Sequence, residues 1–290
     1  MTRAIVTGAV VAGTDGSAES LAAADWAADD AVRRGLPLRL VQAVPPGHGR
    51  TGPVTSAGPR ERVTRPAWSA HPTADEIGRR HPDLSVTVDQ IAEQVLPVLF
   101  SAADSAELMV LGTRGAGAVQ ELVLGSTALT VAGRAPVPVV LVSAASGTGA
   151  PPGADGAGDV VLGLDLAAPD GRPVEFASDE AARRGARLRV VHGWSEPLRD
   201  GAGPDDPDQA LAAALGAWAE KHPRTPVVTE AVVAGAAARL AAAASHATLL
   251  VLGRRPRTTP VSAHLGSTAH AVLRRVRLPV AIVPHAPAAT

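Results

Sequence analysis

The sequence predicts an α/β protein of two tandem domains, each a parallel sheet covered by helices on both faces. Three observations carry that expectation. First, one unit occurs twice: DDAVRRGLPLRLVQA at 29–43 aligns with DEAARRGARLRVVHG at 179–193, with eight of fifteen positions identical at an offset of 150. Further along the offset becomes 141, pairing His81-Pro82 with His222-Pro223, Leu111-Gly112 with Leu252-Gly253, and Val137-Pro138-Val139 with Leu278-Pro279-Val280. A period of that length is too long for a solenoid unit and right for a whole domain. Second, short Val-rich runs alternate with helical stretches in each copy, as in a sheet buried on both sides. Third, SAASGTGAPPGADGAGD at 143–159 has the Gly, Ala, Ser and Pro content of a flexible linker. The expected division is 1–143, a linker at 144–158, and 159–285.

The elements follow in order. VVAGT (10–14) is an apolar run ended by Asp15-Gly16, and a helix is expected over 18–34 with Gly35 as its stop signal. LRLVQAV (38–44) is the second strand. The nine-residue change of offset falls between 45 and 80, where a Pro- and Gly-rich stretch reads as a long loop. LSVTVDQ (84–90) is the third strand, and a helix over 91–106 contains Pro97, which predicts a kink. ELMVLG (107–112) and VPVVLV (137–142) are strands four and five, with a short helix from Ser126 to Gly133 between them. The second half repeats the strands as VVLGL (160–164), LRVVHGW (188–194), PVVTEAVV (226–233), TLLVLG (248–253) and LPVAIV (278–283).

Bulk properties narrow the function. The net charge of −1 supplies no field for nucleic acid or an anionic membrane. The absence of cysteine removes disulfides, thiolate catalysis and Cys-ligated zinc. The N-terminal apolar run lacks a basic region and a cleavage site and reads as a strand, and no run is long enough to span a bilayer. A cytoplasmic protein is expected, without nucleic-acid or membrane partners.

The candidate chemistry lies in glycines. Ligands of open parallel sheets sit outside the carboxyl ends of the strands, where strand order reverses. Gly13-Thr14-Asp15-Gly16-Ser17 follows strand one, and Gly112-Thr113-Arg114-Gly115 follows strand four. If those strands are neighbours, both loops face one crevice, and the glycines let backbone approach a ligand closely. Gly125-Ser126-Thr127 opens a helix whose N–H groups and dipole favour an anion. An anionic nucleotide fits, with base and ribose at the strand ends and phosphates at the helix start. The bland alternative is that Gly112 and Gly115 are turn glycines and Ser126 an ordinary N-cap. Neither half has the G-K-[ST] of a Walker loop, and the glycines follow strand four, not strand one as in a dinucleotide fingerprint.

At these residues the chain resembles the universal stress protein family in its tandem-domain form. Gly112, Gly115, Gly125 and Ser126 match that family's nucleotide-binding G-x2-G-x9-G-[ST], and Gly13-Thr14-Asp15-Gly16-Ser17 stands for its strand-one ending V-D-x-S, with Thr14 at the valine position. The resemblance implies an adenine nucleotide alpha hydrolase-like fold, with five parallel strands in the order 3-2-1-4-5 and ATP between strands one and four, alone or with Mg2+. It implies that Asp15 contacts the adenine or ribose end, beside Gly13 and Thr14, and that the backbone at Ala43 recognises the adenine edge. Leu111, Gly112 and Gly115 would wrap the ribose and α-phosphate, and Gly125, Ser126 and Thr127 would hold the β- and γ-phosphates. Arg114 either reaches a phosphate or is a solvated loop arginine. The resemblance also implies a pseudo-dimer of the two halves, joined through VPVVLV and LPVAIV.

The second half departs from the pattern. Asp165, Gly253, Gly266, Ser267 and Thr268 survive as a weaker second site, but Leu166 and Ala167 replace Gly16 and Ser17, and Pro256 replaces the second motif glycine. Proline has no N–H and a fixed φ, so it can neither take a positive φ nor donate to a phosphate. Pro260 stiffens the loop, while Arg254, Arg255 and Arg257 add cations beside it. In the first half, Gln94 stands where the family usually keeps glycine, as Gly235 does in the second.

Other constellations are set aside. His264 and His270 are poorly spaced for joint metal ligation, and His192 at a strand end reads as a local polar residue. Asp29-Asp30 and Asp179-Glu180 precede Arg33-Arg34 and Arg183-Arg184 at helical spacing and read as a solvated face. Trp26 and Phe176 hold equivalent helix positions and read as core. Ser17 and Ser126 lack a His–Asp partner, so no hydrolase triad is expected. The expected function is an ATP-binding sensor or regulator, not an enzyme beyond slow ATP hydrolysis, with an unidentified regulatory protein as partner and a homodimer as an option. The alternative is a nucleotide-free scaffold.

Overall fold

The computed structural model describes residues 8–45, 49–50, 65–66, 69–113, 125–144, 158–165, 171–194, 207–233, 235–254 and 265–285. The first half contains strands β1 (Ala9–Gly13), β2 (Leu38–Ala43), β3 (Gly49–Arg50), β4 (Arg65–Pro66), β5 (Val86–Ile91), β6 (Ala106–Gly112) and β7 (Val139–Val142). Its helices are α1 (Ala18–Arg34), α2 (His71–Arg80), α3 (Val95–Ala103) and α4 (Ser126–Arg134). The second half contains β8 (Asp159–Leu164), β9 (Leu188–Trp194), β10 (Val227–Val233), β11 (Ala247–Arg254) and β12 (Val280–Pro284), with α5 (Gly171–Arg184), α6 (Pro207–Lys221), α7 (Ala236–Ala243) and α8 (Ser267–Leu273).

All but β3 and β4, which form a small antiparallel pair, join one ten-stranded sheet in the order β10-β9-β8-β11-β12-β7-β6-β1-β2-β5. Within each half the pairs are parallel, and the main-sheet strands lie third, second, first, fourth, fifth. The halves meet where β12 pairs antiparallel with β7, placing Val280 opposite Leu141 and Ile282 opposite Val139. This pairing hides two strand edges that would otherwise be open templates for aggregation. Strand residues alternate between two cores, one under α1, α2, α5 and α6 and the other under α3, α4, α7 and α8. No helix among the described residues is long and apolar enough to cross a membrane.

Helix α1 shows how local sequence sets an element. Its N-cap, Ser17, is extended and its hydroxyl accepts the Ser20 N–H at 3.2 Å; Gly35 ends it with φ 65°, a left-handed conformation natural to glycine. Ser20, Ala23, Ala24, Ala27, Ala28 and Ala31 are buried, a stripe of small residues that brings the helix close to the sheet. Ser17→Ala is expected to cost about 1 kcal/mol through loss of this cap, read as a lower urea midpoint.

Two local expectations need correction. The Pro- and Gly-rich stretch 45–73 is not all loop, because β3 and β4 pair within it and α2 begins at His71; only Ile77 of α2 is buried among its apolar residues, so little periodicity announces it, and Pro72 sits in its first turn. Pro97 does not kink a helix, because α3 begins at Val95 and Pro97 falls in the first turn, where no intrahelical N–H is needed. The replacement of glycine by Gln94 goes with a different backbone: Gln94 caps α3 with φ −64°, whereas Gly235 caps α7 with φ 74°.

The acidic–basic runs form a solvated face only in part: Asp29, Arg33 and Arg183 are exposed, but Asp30 and Glu180 are buried. Asp30 and Glu180 are 1% and 0% exposed, and between them Arg34 bonds both Asp30 and Glu180 at 2.6 Å, while Arg184 bonds both at 2.8 Å. Arg34 also lies 5.5 Å from the Phe176 ring and Arg184 5.3 Å from the Trp26 ring, so each half's arginine stacks on the other half's aromatic. Both rings pack against the core. Asp29 and Asp179 instead meet the repeated histidines, His81 at 3.3 Å and His222 at 2.9 Å.

Candidate functional site

A cleft of about 530 Å³ opens at the carboxyl ends of β1 and β6. Gly13, Thr14 and Asp15 line it from β1, Ala43 from β2, Leu111 and Gly112 from β6, and Gly125, Ser126 and Thr127 from the start of α4. Arg114 and Gly115 lie outside the described residues. Ser17, expected in the loop facing the crevice, lines it too, but sequence reasoning missed the rest of the lining: Glu19 and Ser20 of the α1 start, Val41, Ala128, and Val95 and Leu99 of α3. Val95 is unusual, a valine 36% exposed at a cleft wall. Its signal was weak, because an apolar residue on a helix following a strand reads as core.

The strand ends are braced by two equivalent threonines. The Thr14 N–H and hydroxyl both donate to the Val41 carbonyl, at 2.9 and 3.3 Å, and those of Thr113 both donate to Val142, at 2.7 and 3.3 Å. Asp15 is exposed, and its Oδ1 accepts the Ser17 N–H at 2.9 Å across Gly16, whose φ is 85°. That turn holds Asp15 and α1 in fixed relation. Gly112 is glycine for a reason the spacing did not reveal. A Cβ there would stand 2.5 Å from the Glu19 carbonyl carbon and 2.7 Å from the Ser20 nitrogen, so its smallness admits the first turn of α1.

The start of α4 excludes the ordinary-cap reading of Ser126. The N-cap is Gly125, in extended conformation and without side-chain capping, and Ser126 is the first helical residue. The first-turn N–H groups have no partner within a helix, and their dipoles sum to partial positive charge. Asp15 and Glu19 add carboxylates to the lining, and Val41, Ala43, Val95, Leu99 and Leu111 add apolar surface. The lining therefore combines acidic groups, apolar side chains and the start of a helix with two hydroxyls.

The second half is built differently at the matching point. A Cβ on Gly253 would meet the His285 ring at 2.5 Å and Pro173 at 3.1 Å. The imidazole of His285 and the side chain of Pro173, in α5, thus stand beside Gly253 where the first half has the main chain of Glu19 and Ser20 beside Gly112. Asp165 ends β8 and is half-buried; Gly266 caps α8 without a side-chain bond, and Ser267 and Thr268 are exposed in its first turn. Leu166, Ala167, Arg255, Pro256, Arg257, Pro260 and His264 lie outside the described residues. Arg254 does not stand as a cation over this site: its guanidinium donates to the carbonyls of Gly133 and, at 2.6 Å, Ala135 at the end of α4. His192 is buried, with Nδ1 3.0 Å from the Leu164 carbonyl. Among the described residues no cluster of three or more His, Asp or Glu stands ready for a metal.

Comparison with known proteins agrees with this architecture. The model of the universal stress protein family matches residues 7–143 and again 158–284. The universal stress protein Rv1996 of Mycobacterium tuberculosis is 31% identical over an aligned length of 311, covering 96% of each chain. Rv2005c of the same organism is also 31% identical, covering 94% of this chain and 96% of its own. Among solved structures, a universal stress protein from Archaeoglobus fulgidus superposes with TM-score 0.64 at 17% identity, covering 96% and 98% of the two chains. The functionally unknown protein PA1789 of Pseudomonas aeruginosa superposes with TM-score 0.66 at 14% identity, covering 97% and 94%. With two complete matches in sequence and the same fold in solved structures, the chain belongs to the universal stress protein family, as two consecutive copies of its domain.

Proposed function

We propose that the first half binds ATP in the β1–β6 cleft and that the chain acts as a nucleotide-dependent sensor or regulator in a stress response. The observation that carries this reading is the mixed lining of one cleft, apolar side chains and carboxylates together with the start of a helix. An adenine ring suits the apolar side chains of Val41, Val95 and Leu99, and ribose hydroxyls suit the carboxylates of Asp15 and Glu19. The phosphates suit the start of α4, where Ser126, Thr127 and Ala128 present first-turn amides and two hydroxyls. A magnesium ion would arrive on the phosphates, since the described residues offer it no cluster of carboxylates. ATP binding would shift a conformational or partner equilibrium, and hydrolysis would be slow for want of a positioned base among the described residues.

The second half contributes no equal site in this reading, because Pro256 replaces the second motif glycine and can neither take a positive φ nor donate to a phosphate. Titration calorimetry is expected to return one ATP per chain, and acid denaturation of the purified protein to release adenine nucleotide. Two equally tight sites would refute the division between the halves. No binding at millimolar ATP would replace this reading with a nucleotide-free scaffold.

A further inference from the structure

We infer that Arg254, a residue of the second half, is a positioning residue for the phosphate-binding helix of the first half. The inference rests on the ATP reading for its functional meaning, and its structural basis is the end of α4. Ala135 precedes Pro136, and its backbone is extended at φ −58°, ψ 143°. A residue before proline avoids the helical region, so α4 stops there and its last carbonyls lack helical partners. Arg254 supplies them, one guanidinium nitrogen donating to Gly133 and the other to Ala135 at 2.6 Å. A forked cation at a helix C-terminus satisfies two acceptors and complements the negative end of the dipole.

The reach follows from the antiparallel junction. Because β12 runs against β7, the carboxyl end of β11 in the second half adjoins the opposite end of the first half, where α4 terminates. Among the described residues the arrangement has no reciprocal. The first-half residue matching Arg254 is Thr113, and its hydroxyl is spent on Val142 of its own domain. Arg254 is also partly buried, with its Nε–H enclosed and unpartnered among the described residues, so the guanidinium is committed to this contact and not to solvent. The half with the altered site therefore holds the far end of the helix that serves the other site. Since Arg254 directly follows Gly253, any rearrangement of the second crevice reaches α4 through one residue.

The test compares wild type, Arg254→Ala and Arg254→Lys by ATP and adenosine titration and by amide exchange in ligand-free protein. Arg254→Ala is expected to weaken ATP about threefold to tenfold and to leave adenosine unchanged, because only the triphosphate uses the α4 amides. Arg254→Lys keeps the charge without the fork and should fall between. Amide exchange in α4 should rise in Arg254→Ala while exchange in α8 stays as in wild type. Equal losses for ATP and adenosine, or unchanged ATP affinity with unchanged α4 exchange, would overturn the inference. If wild type binds no ATP, the ATP reading fails, and the α4 exchange pattern still decides whether Arg254 holds the helix.

Discussion

Glu180→Ala is expected to lower the stability of the chain by about 3–5 kcal/mol, the cost of leaving buried charges without their partner. Glu180 is fully buried and accepts from Arg34 at 2.6 Å, Arg184 at 2.8 Å and Arg183 at 2.9 Å. Its removal strands two arginines that are 5% and 10% exposed, with only Asp30 left to share. Urea unfolding followed by circular dichroism measures the loss, and a change under about 1 kcal/mol would show that solvent reaches the network. Replacing Asp30, Arg34, Glu180 and Arg184 together by apolar residues of similar size should recover much of the stability, because no orphaned charge remains. The same group sets an acid limit. Burial by itself pushes the Glu180 carboxyl up, but Arg184, Arg34 and Arg183 outweigh it and hold its pKa below the ordinary range. A carboxylate depressed in the folded state contributes its stability above the unfolded value, about 4.3, and loses it as pH falls through the folded value. Wild type should therefore lose stability below about pH 4 more steeply than Glu180→Gln.

Gly112→Ala is expected to cost about 1–3 kcal/mol by overpacking. The obstacles at 2.5–2.7 Å are backbone atoms of Glu19 and Ser20, which cannot rotate aside, so the first turn of α1 must shift off β6. Gly112, Glu19 and Ser20 all line the cleft, and ATP affinity should fall at least about tenfold, or 1.4 kcal/mol. Gly13→Ala is the control. Its new methyl meets the mobile ends of Leu111 at 2.6 Å and Leu99 at 3.1 Å, and these can turn away. Calorimetry that finds Gly112→Ala no worse than Gly13→Ala would remove the α1–β6 approach from the account of the site.

Much of the cleft was legible before any coordinates, because its backbone parts follow strands in a fixed order. Gly13, Thr14 and Asp15 end β1, Gly112 ends β6, and Gly125 to Thr127 open α4, all on one cleft. What stayed hidden was the reason for a residue and the identity of its neighbour. Gly112 read as room for a ligand and is room for a helix; Val95 and Leu99 carried no signal of their own and line the cleft. Asp30 and Glu180 read as solvated because helical spacing of opposite charges looks the same on a wet face and in a buried contact.

The amino-acid order alone determined the doubling of the unit, the alternation of strand and helix, and the bounds of α1 between Ser17 and Gly35. These depend on interactions a few residues long: caps, turn conformations and the periodicity of apolar side chains. The fold decided the rest, namely the charge network across α1 and α5, the hold of Arg254 on α4, and the close approach of His285 to Gly253. Arg34 and Glu180 are 146 residues apart, and Arg254 and Ala135 are 119 apart. No local pattern encodes such a partner, because it exists only once β7 and β12 have paired and brought opposite ends of the two sheets together.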